Sequence, residues 1–186
     1  MVRQMANGKA ERLKAMRVGE IMIPLEQYPH VCDTCTLGEA ITRMETSQLE
    51  VGGRRSLPRL LLVFDSDEQL VGLVRRRDVL RGLEPRFLQE RPPEYQRRLF
   101  EVEVDPNLLE LSSDHLIAGM KERAERPVRS VMVSDVVTID YDDHIMKAIF
   151  EIVTHDITAL PVVKDGRVVG VVRTVEVFHE VAKLVL

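Results

Sequence analysis

The segment Val18-Gly-Glu-Ile-Met22 recurs as Val128-Arg-Ser-Val-Met132, and the residues that follow each copy recur with it. A period of this kind constrains the fold more than any single motif does, because equivalent residues must find equivalent surroundings. Each segment leads through a short loop into a β-type stretch, Pro29-His-Val31 or Val137-Thr-Ile139. Leu37, Ala40, Ile41 and Met44 then match Ile145, Ala148, Ile149 and Ile152 at one constant spacing. Both sets follow the i, i+3, i+4, i+7 rule of a helix with one apolar face. An apolar strand, a turn and a second apolar strand come next. In the second copy these are Leu160 to Lys164, Asp165-Gly166 and Arg167 to Val172, and Asp-Gly between two such runs is a strong hairpin signal. In the first they are Leu60 to Phe64, a longer polar turn, and Gln69 to Val74, with Gly72 matching Gly170. Val79, Leu80 and Leu83 match Val177, Phe178 and Val181 on a last helix. Each copy therefore reads strand, helix, strand, strand, helix, an α/β (α+β) unit.

A unit of roughly 60 residues is at the small end of what folds alone, so the two copies are expected to pack as one domain. The expected organisation is a lead helix over 1–17, a first repeat over 18–83, a connector over 84–126 and a second repeat over 127–186. The first copy carries extra residues around Val51 to Leu57, including Gly52-Gly53-Arg54-Arg55, which read as an exposed loop. Four prolines, Pro85, Pro92, Pro93 and Pro106, break the early connector, whereas Ser113-Asp114 before His115 to Ala124 reads as a capped helix near 114–125. That helix is expected to cover an exposed sheet or helix face.

Composition narrows the function. The 186 residues are 45% hydrophobic and 4% aromatic with no Trp, so the core is aliphatic, and a net charge of −4 argues against a surface built to grip nucleic acid. No apolar run approaches the roughly 20 residues of a membrane span, and the first residues lack the apolar middle of a secretory signal. With Cys32 and Cys35 as its only cysteines, the chain is expected to be cytoplasmic. Residues 1–17 hold Arg3, Lys9, Arg12, Lys14 and Arg17 against Glu11 alone, read as the solvated face of the lead helix.

The duplicated segments, Leu160-Pro-Val-Val163 and the Gly-apolar-apolar stretches from Gly72 and Gly170 resemble the CBS (cystathionine β-synthase) domain pair, or Bateman module. The resemblance spans about 18–83 and 128–186. It implies tandem β-α-β-β-α repeats packed with pseudo-twofold symmetry, two clefts between them, and association into flat homodimers. It also implies a regulatory module that is not an enzyme and needs no cofactor. Such a module would bind an adenine nucleotide (AMP, ADP or ATP) or S-adenosylmethionine and signal to an effector protein, without contacting nucleic acid or membrane. The alternative is a dimeric interaction scaffold whose clefts bind no ligand.

The family's nucleotide signature runs Gly, two apolar residues, Ser or Thr, two residues, Asp. A helix N-terminus suits a phosphate, and a carboxylate can accept both hydroxyls of a ribose diol. Here the copies read Gly72-Leu-Val-Arg75-Arg76-Arg77-Asp78 and Gly170-Val-Val-Arg173-Thr174-Val175-Glu176. Asp78 matches the ribose acid; Glu176 is one methylene longer, so the Asp78 cleft is the favoured one. Arg75 and Arg173 replace the hydroxyl residue, and guanidinium groups could hold a phosphate through paired bonds. The plain alternative makes Arg75 to Arg77 a solvated first turn and Asp78 a helix-start charge. The resemblance places the adenine near backbone groups of His30 and Val31, of Val137, Thr138 and Ile139, and of Leu160 and Pro161.

Other chemistry is incomplete in the sequence. Cys32-Asp-Thr-Cys35 has metal-knuckle or redox spacing, but a structural zinc needs a second pair. Aligned with Asp140 and Asp143, these are read as turn cysteines, with a disulfide sensor as the lesser option. Glu176-x-x-His179-Glu180 lacks the second motif of a carboxylate-bundle metal site, and in Asp142-Asp143-His144 an aspartate is read as the cap of the helix from Ile145. No metal site and no catalytic constellation are expected.

Overall fold

The computed structural model describes residues 15–84 and 113–186. Residues 1–14 of the expected lead helix and the proline-punctuated part of the connector lie outside the described residues.

The first repeat contains β2 (His30–Cys32), α1 (Leu37–Thr46), β5 (Leu60–Phe64), β6 (Leu70–Arg75) and α2 (Arg76–Leu83). The second contains β7 (Ile139–Asp140), α4 (Ile145–Thr154), β8 (Ala159–Lys164), β9 (Arg167–Arg173) and α5 (Thr174–Val185). In both, the first strand lies parallel to the second and the last two form an antiparallel hairpin. The Asp165-Gly166 turn takes positive φ at both residues, 52° and 77°, as a tight hairpin demands. The connector helix α3 (Ser113–Ala124) lies against α2, where the Arg123 guanidinium donates to the carbonyls of Leu83 and Glu84.

Two sequence expectations change. The extra residues of the first copy are not a plain loop: β3 (Leu49–Val51) and β4 (Arg54–Ser56) pair antiparallel, turning at Gly52 and Gly53 with φ of 56° and 73°. A run of charged residues hid the ribbon, and the two glycines make its turn accessible. The cap of α4 is not an aspartate. His144 is the N-cap, and its Nδ1 accepts from the Met146 amide at 3.1 Å, while Asp143 accepts from the Asp140 amide and from Lys147.

Burial follows strand alternation, with both faces of each central strand covered. Leu61 and Val63 point to α1 and α2 in one core, whereas Leu60 and Leu62 join Ala159 and Val171 in the layer between the two sheets. Leu160 and Val162 belong to the matching core of the second repeat.

The lead-in segments are exchanged between the repeats. Val18 is fully buried in the core of the second repeat, and Val128 in that of the first. Burying each valine contributes roughly 1.5–3 kcal/mol. The exchange is symmetrical: the Val18 amide donates to the Asp143 carbonyl at 2.9 Å, and the Val128 amide to the Cys35 carbonyl at 2.7 Å. Beyond Val18 the chain forms β1 (Ile23–Pro24), an edge strand antiparallel to β9; Val133 bridges Leu73 of β6 in the same way. Among the described residues, no helix is long and apolar enough to cross a membrane.

Candidate functional site

Strand β6 ends at Arg75 because that residue is the extended N-cap of α2, with φ −97° and ψ 160°. Asp78, at the third helical position, accepts the Arg75 amide at 3.0 Å and so satisfies a donor that the helix start leaves open. The Arg75 side chain folds back onto the same carboxylate. Its Nε lies 2.6 Å from Oδ2 and its Nη2 3.0 Å from Oδ1, a two-pronged contact. The Asp78 side chain is 2% exposed and that of Arg75 31%. Desolvation pulls the Asp78 carboxyl upward, but hydrogen bonds from the Arg75 side chain and amide, with the charges of Arg75 and Arg77, hold it below the ordinary carboxylate range.

The second turn repeats this arrangement. Arg173 is the N-cap of α5, and its Nε lies 2.8 Å from Glu176 Oε2 while Nη2 reaches Oε1. A further contact distinguishes it: Arg173 Nη1 donates to Ser56 Oγ at 2.9 Å. The β3–β4 ribbon thus reaches from the first repeat onto the second signature turn. Accordingly Arg173 is 12% exposed and Glu176 7%. Tyr28 is buried close by, donating its hydroxyl to the Leu60 carbonyl at 3.3 Å. Burial pushes its phenol upward, with Arg173 pulling against that shift. Tyr28 and Ser56 are site neighbours that sequence reading missed. Only the exchanged lead-in and the ribbon bring them there.

The remaining candidates fall in different places. His30 and Val31 line a cavity of about 420 Å³ together with Cys32 and Cys35, on the edge-strand side of the first sheet. The cysteines sit in the turn as expected, and they are joined as a disulfide with a Cα separation of 5.2 Å. Thr138 is exposed and lines a second cavity of about 220 Å³ between the two hairpin turns, beside Gln69 and Arg167. Val137 is half-buried. Ile139 and Leu160 have their side chains in the second core, and Pro161 is buried opposite Val171, so these positions offer a ligand backbone rather than side chain. Neither cavity is lined by Arg75 or Asp78.

The duplicated unit, with its paired signature turns, matches the family model for the CBS domain over residues 18–85 and 128–183. The chain belongs to the CBS-domain family. Solved CBS structures share its fold. The CBS domain of a CBS-domain-containing membrane protein from Sphaerobacter thermophilus is 21% identical, with 96% of this chain and 97% of that one covered and a TM-score of 0.65. A CBS-domain-containing protein of unknown function from Bacillus anthracis is 19% identical over 94% and 98%, with a TM-score of 0.63. CBSX2, crystallised in complex with AMP, is 17% identical over 91% and 98%, with a TM-score of 0.58. No curated protein matches the sequence. Within this CBS pair the arginines that depart from the nucleotide signature are the partners of the signature acids.

Proposed function

We propose that this CBS pair is a regulatory module that takes an adenine nucleotide at the Arg75–Asp78 cleft and signals to an effector protein. The observation that carries the reading is the charge at the first signature turn. Arg75, Arg76 and Arg77 surround one acid there, and Arg76 and Arg77 are exposed, whereas in the second turn Arg173 meets Glu176 beside neutral Thr174 and Val175. The first turn therefore has cationic surplus at a helix N-terminus, which suits a phosphate. A phosphate that engages Arg75 releases the Asp78 carboxylate to accept the ribose hydroxyls. His30, Val31, Val137, Thr138, Ile139, Leu160 and Pro161 fall in different places, His30 and Val31 at one cavity and Thr138 at another, so they do not all serve the base of this one nucleotide. The AMP complex of CBSX2 supports the ligand class. Signalling then requires the nucleotide to bind two states of the module unequally, with no chemical step.

A thermal-shift panel of AMP, ADP, ATP, NADH and S-adenosylmethionine, with adenosine as the phosphate-free control, tests this. A nucleotide at 100 times its dissociation constant should stabilise the fold by about 2.7 kcal/mol. Asp78→Asn should weaken that binding by about 1.5–3 kcal/mol, the range for a hydrogen bond to a charged group, and Glu176→Gln should do less. No shift with any ligand would remove the nucleotide reading. It would leave the second one, an interaction scaffold, which is favoured by the fact that both signature acids already have arginine partners.

Either reading includes a homodimer. Helix α4 exposes Met146, Phe150 and Val153, and α5 exposes Val175 and Phe178, the last at 71%. Two packed helices that each carry a second, outward apolar stripe suit a copy of the same surface. Light scattering after gel filtration should give twice the chain mass for the wild type and the single-chain mass for Phe178→Glu. A monomeric wild type would contradict the dimer.

A further inference from the structure

We propose that Cys32 and Cys35 form a reversible thiol–disulfide site, open to a small dithiol, whose state sets how firmly the lead-in of the second repeat is held. The proposal does not depend on nucleotide binding. Its basis is the difference between two equivalent turns. In the second repeat the Asp140–Asp143 turn holds the first lead-in through Val18 N–H to Asp143 O and Gly19 N–H to Tyr141 O, both 2.9 Å. Carboxylates close that turn: Asp143 accepts the Asp140 amide at 3.0 Å, and Asp140 accepts the Asp142 amide at 2.9 Å. In the first repeat Cys35 and Asp33 offer the corresponding carbonyls to Val128 and Arg129, at 2.7 and 3.3 Å, and the Leu37 amide donates to Arg126 O at 2.9 Å. There the side-chain closure is the disulfide, standing where the other turn has its two aspartates; a backbone bond spans both turns alike, Cys35 N–H to Cys32 O at 3.2 Å and Asp143 N–H to Asp140 O at 3.1 Å. Carboxylate closure is insensitive to thiols. Disulfide closure is not, and a thiol is too weak an acceptor to replace it.

Access and leaving-group chemistry also fit. Cys32 is exposed and Cys35 half-buried, and both border the 420 Å³ cavity, whose wall includes His30 edge-on to Phe64 and whose rim includes Glu39 and Arg43. An incoming thiolate attacks Cys32 Sγ, the S–S bond breaks, and its electron pair leaves on Cys35 Sγ. Cys35 immediately precedes Thr36, the N-cap of α1, where the positive end of the helix favours a thiolate. The second thiol of the dithiol then displaces Cys32, and both cysteines take up a proton. In the balance the dithiol loses two electrons and two protons to become a disulfide, and the protein gains them as two thiols.

The test uses the full chain without denaturant. Dithiothreitol should reduce the pair so that iodoacetamide labels both cysteines, and oxidised dithiothreitol or glutathione disulfide should restore an unlabelled chain. Hydrogen exchange at the Val128 and Arg129 amides should be at least about tenfold faster in the reduced state, while Val18 and Gly19, held by the carboxylate turn, keep their rates. Cys32→Ser should show the fast rates whatever the redox state. The wild-type comparison stands alone if that variant fails to fold. Labelling only after denaturation, failure to reoxidise, or reduction with no change at Val128 and Arg129 would each overturn the proposal.

Discussion

Gly170→Val is expected to detach β1 from its sheet and to lower stability by about 2–3 kcal/mol, at the upper end for overpacking a filled site. A Cβ at Gly170 would lie 2.5 Å from the Ile23 carbonyl oxygen and 2.7 Å from Met22 Sδ. The thioether can swing aside. The carbonyl cannot, because it belongs to the strand paired with β9 at Ile23–Val171 and Pro24–Gly170. Gly170 is not among the residues with positive φ, so the demand for glycine here is one of space alone. The signature glycine is thereby explained by the crossing lead-in before any ligand is considered. Gly72 is its counterpart, with Met132 Sδ and the Val133 carbonyl both at 2.9 Å, so Gly72→Ala should be milder than Gly170→Ala. Urea unfolding should show a lower midpoint for Gly170→Val at unchanged slope. A variant within about 0.5 kcal/mol of wild type would mean that the lead-in adapts. The consequence reaches the second signature turn, because the chain from β1 runs directly to Tyr28, which packs between the sheets near Arg173 and Glu176.

What could be read from the sequence was whatever depends on local period. The helix faces of Leu37 to Met44 and Ile145 to Ile152, the Asp165-Gly166 turn and the strand order all follow from spacing, and the two-repeat CBS fold is observed. The exchange of lead-ins has no local signal. Val18 and Val128 sit in the same pattern, so either core would accept either residue, and only the path of the chain decides. The β3–β4 ribbon was hidden for a related reason: Arg54, Arg55 and Ser56 are all exposed, so no apolar alternation marks the strand. At the signature turns the residue types were legible but their pairing was not. Arg75 could have reached solvent or a phosphate, and the choice of Asp78 depends on a side-chain conformation that spacing does not encode.

Asp78→Ala should cost about 2–3 kcal/mol at neutral pH. It removes the acceptor of three hydrogen bonds from Arg75, one of them from the N-cap amide of α2. Breaking a fully buried ion pair costs about 3–5 kcal/mol, and the lower figure applies because Arg75 is nearly a third exposed and can turn to water. The pH dependence has a definite sign. The folded carboxyl is held below its unfolded value of about 3.9, so between the two values the unfolded chain binds more protons and stability rises with pH. The charge contribution of Asp78 is therefore complete above the unfolded value and is lost as pH falls through the depressed one. The gap between wild type and Asp78→Ala should be constant from neutrality to about pH 5 and shrink below about pH 4. Against desolvation, Asp143 is also held below its ordinary value by hydrogen bonds from Lys147 and the Asp140 amide, but the substitution leaves it untouched, so it cancels in the difference. A gap that stays constant into strong acid would assign the cost to lost packing instead of the ion pair. The same contact sets a condition on binding. A nucleotide that takes Arg75 from Asp78 must offset what the pair contributes, whereas one held by exposed Arg76 and Arg77 need not. Arg76→Ala with Arg77→Ala should then reduce affinity while leaving the Arg75–Asp78 pair in place, the lost Arg77 charge letting the Asp78 carboxyl rise slightly toward its ordinary value.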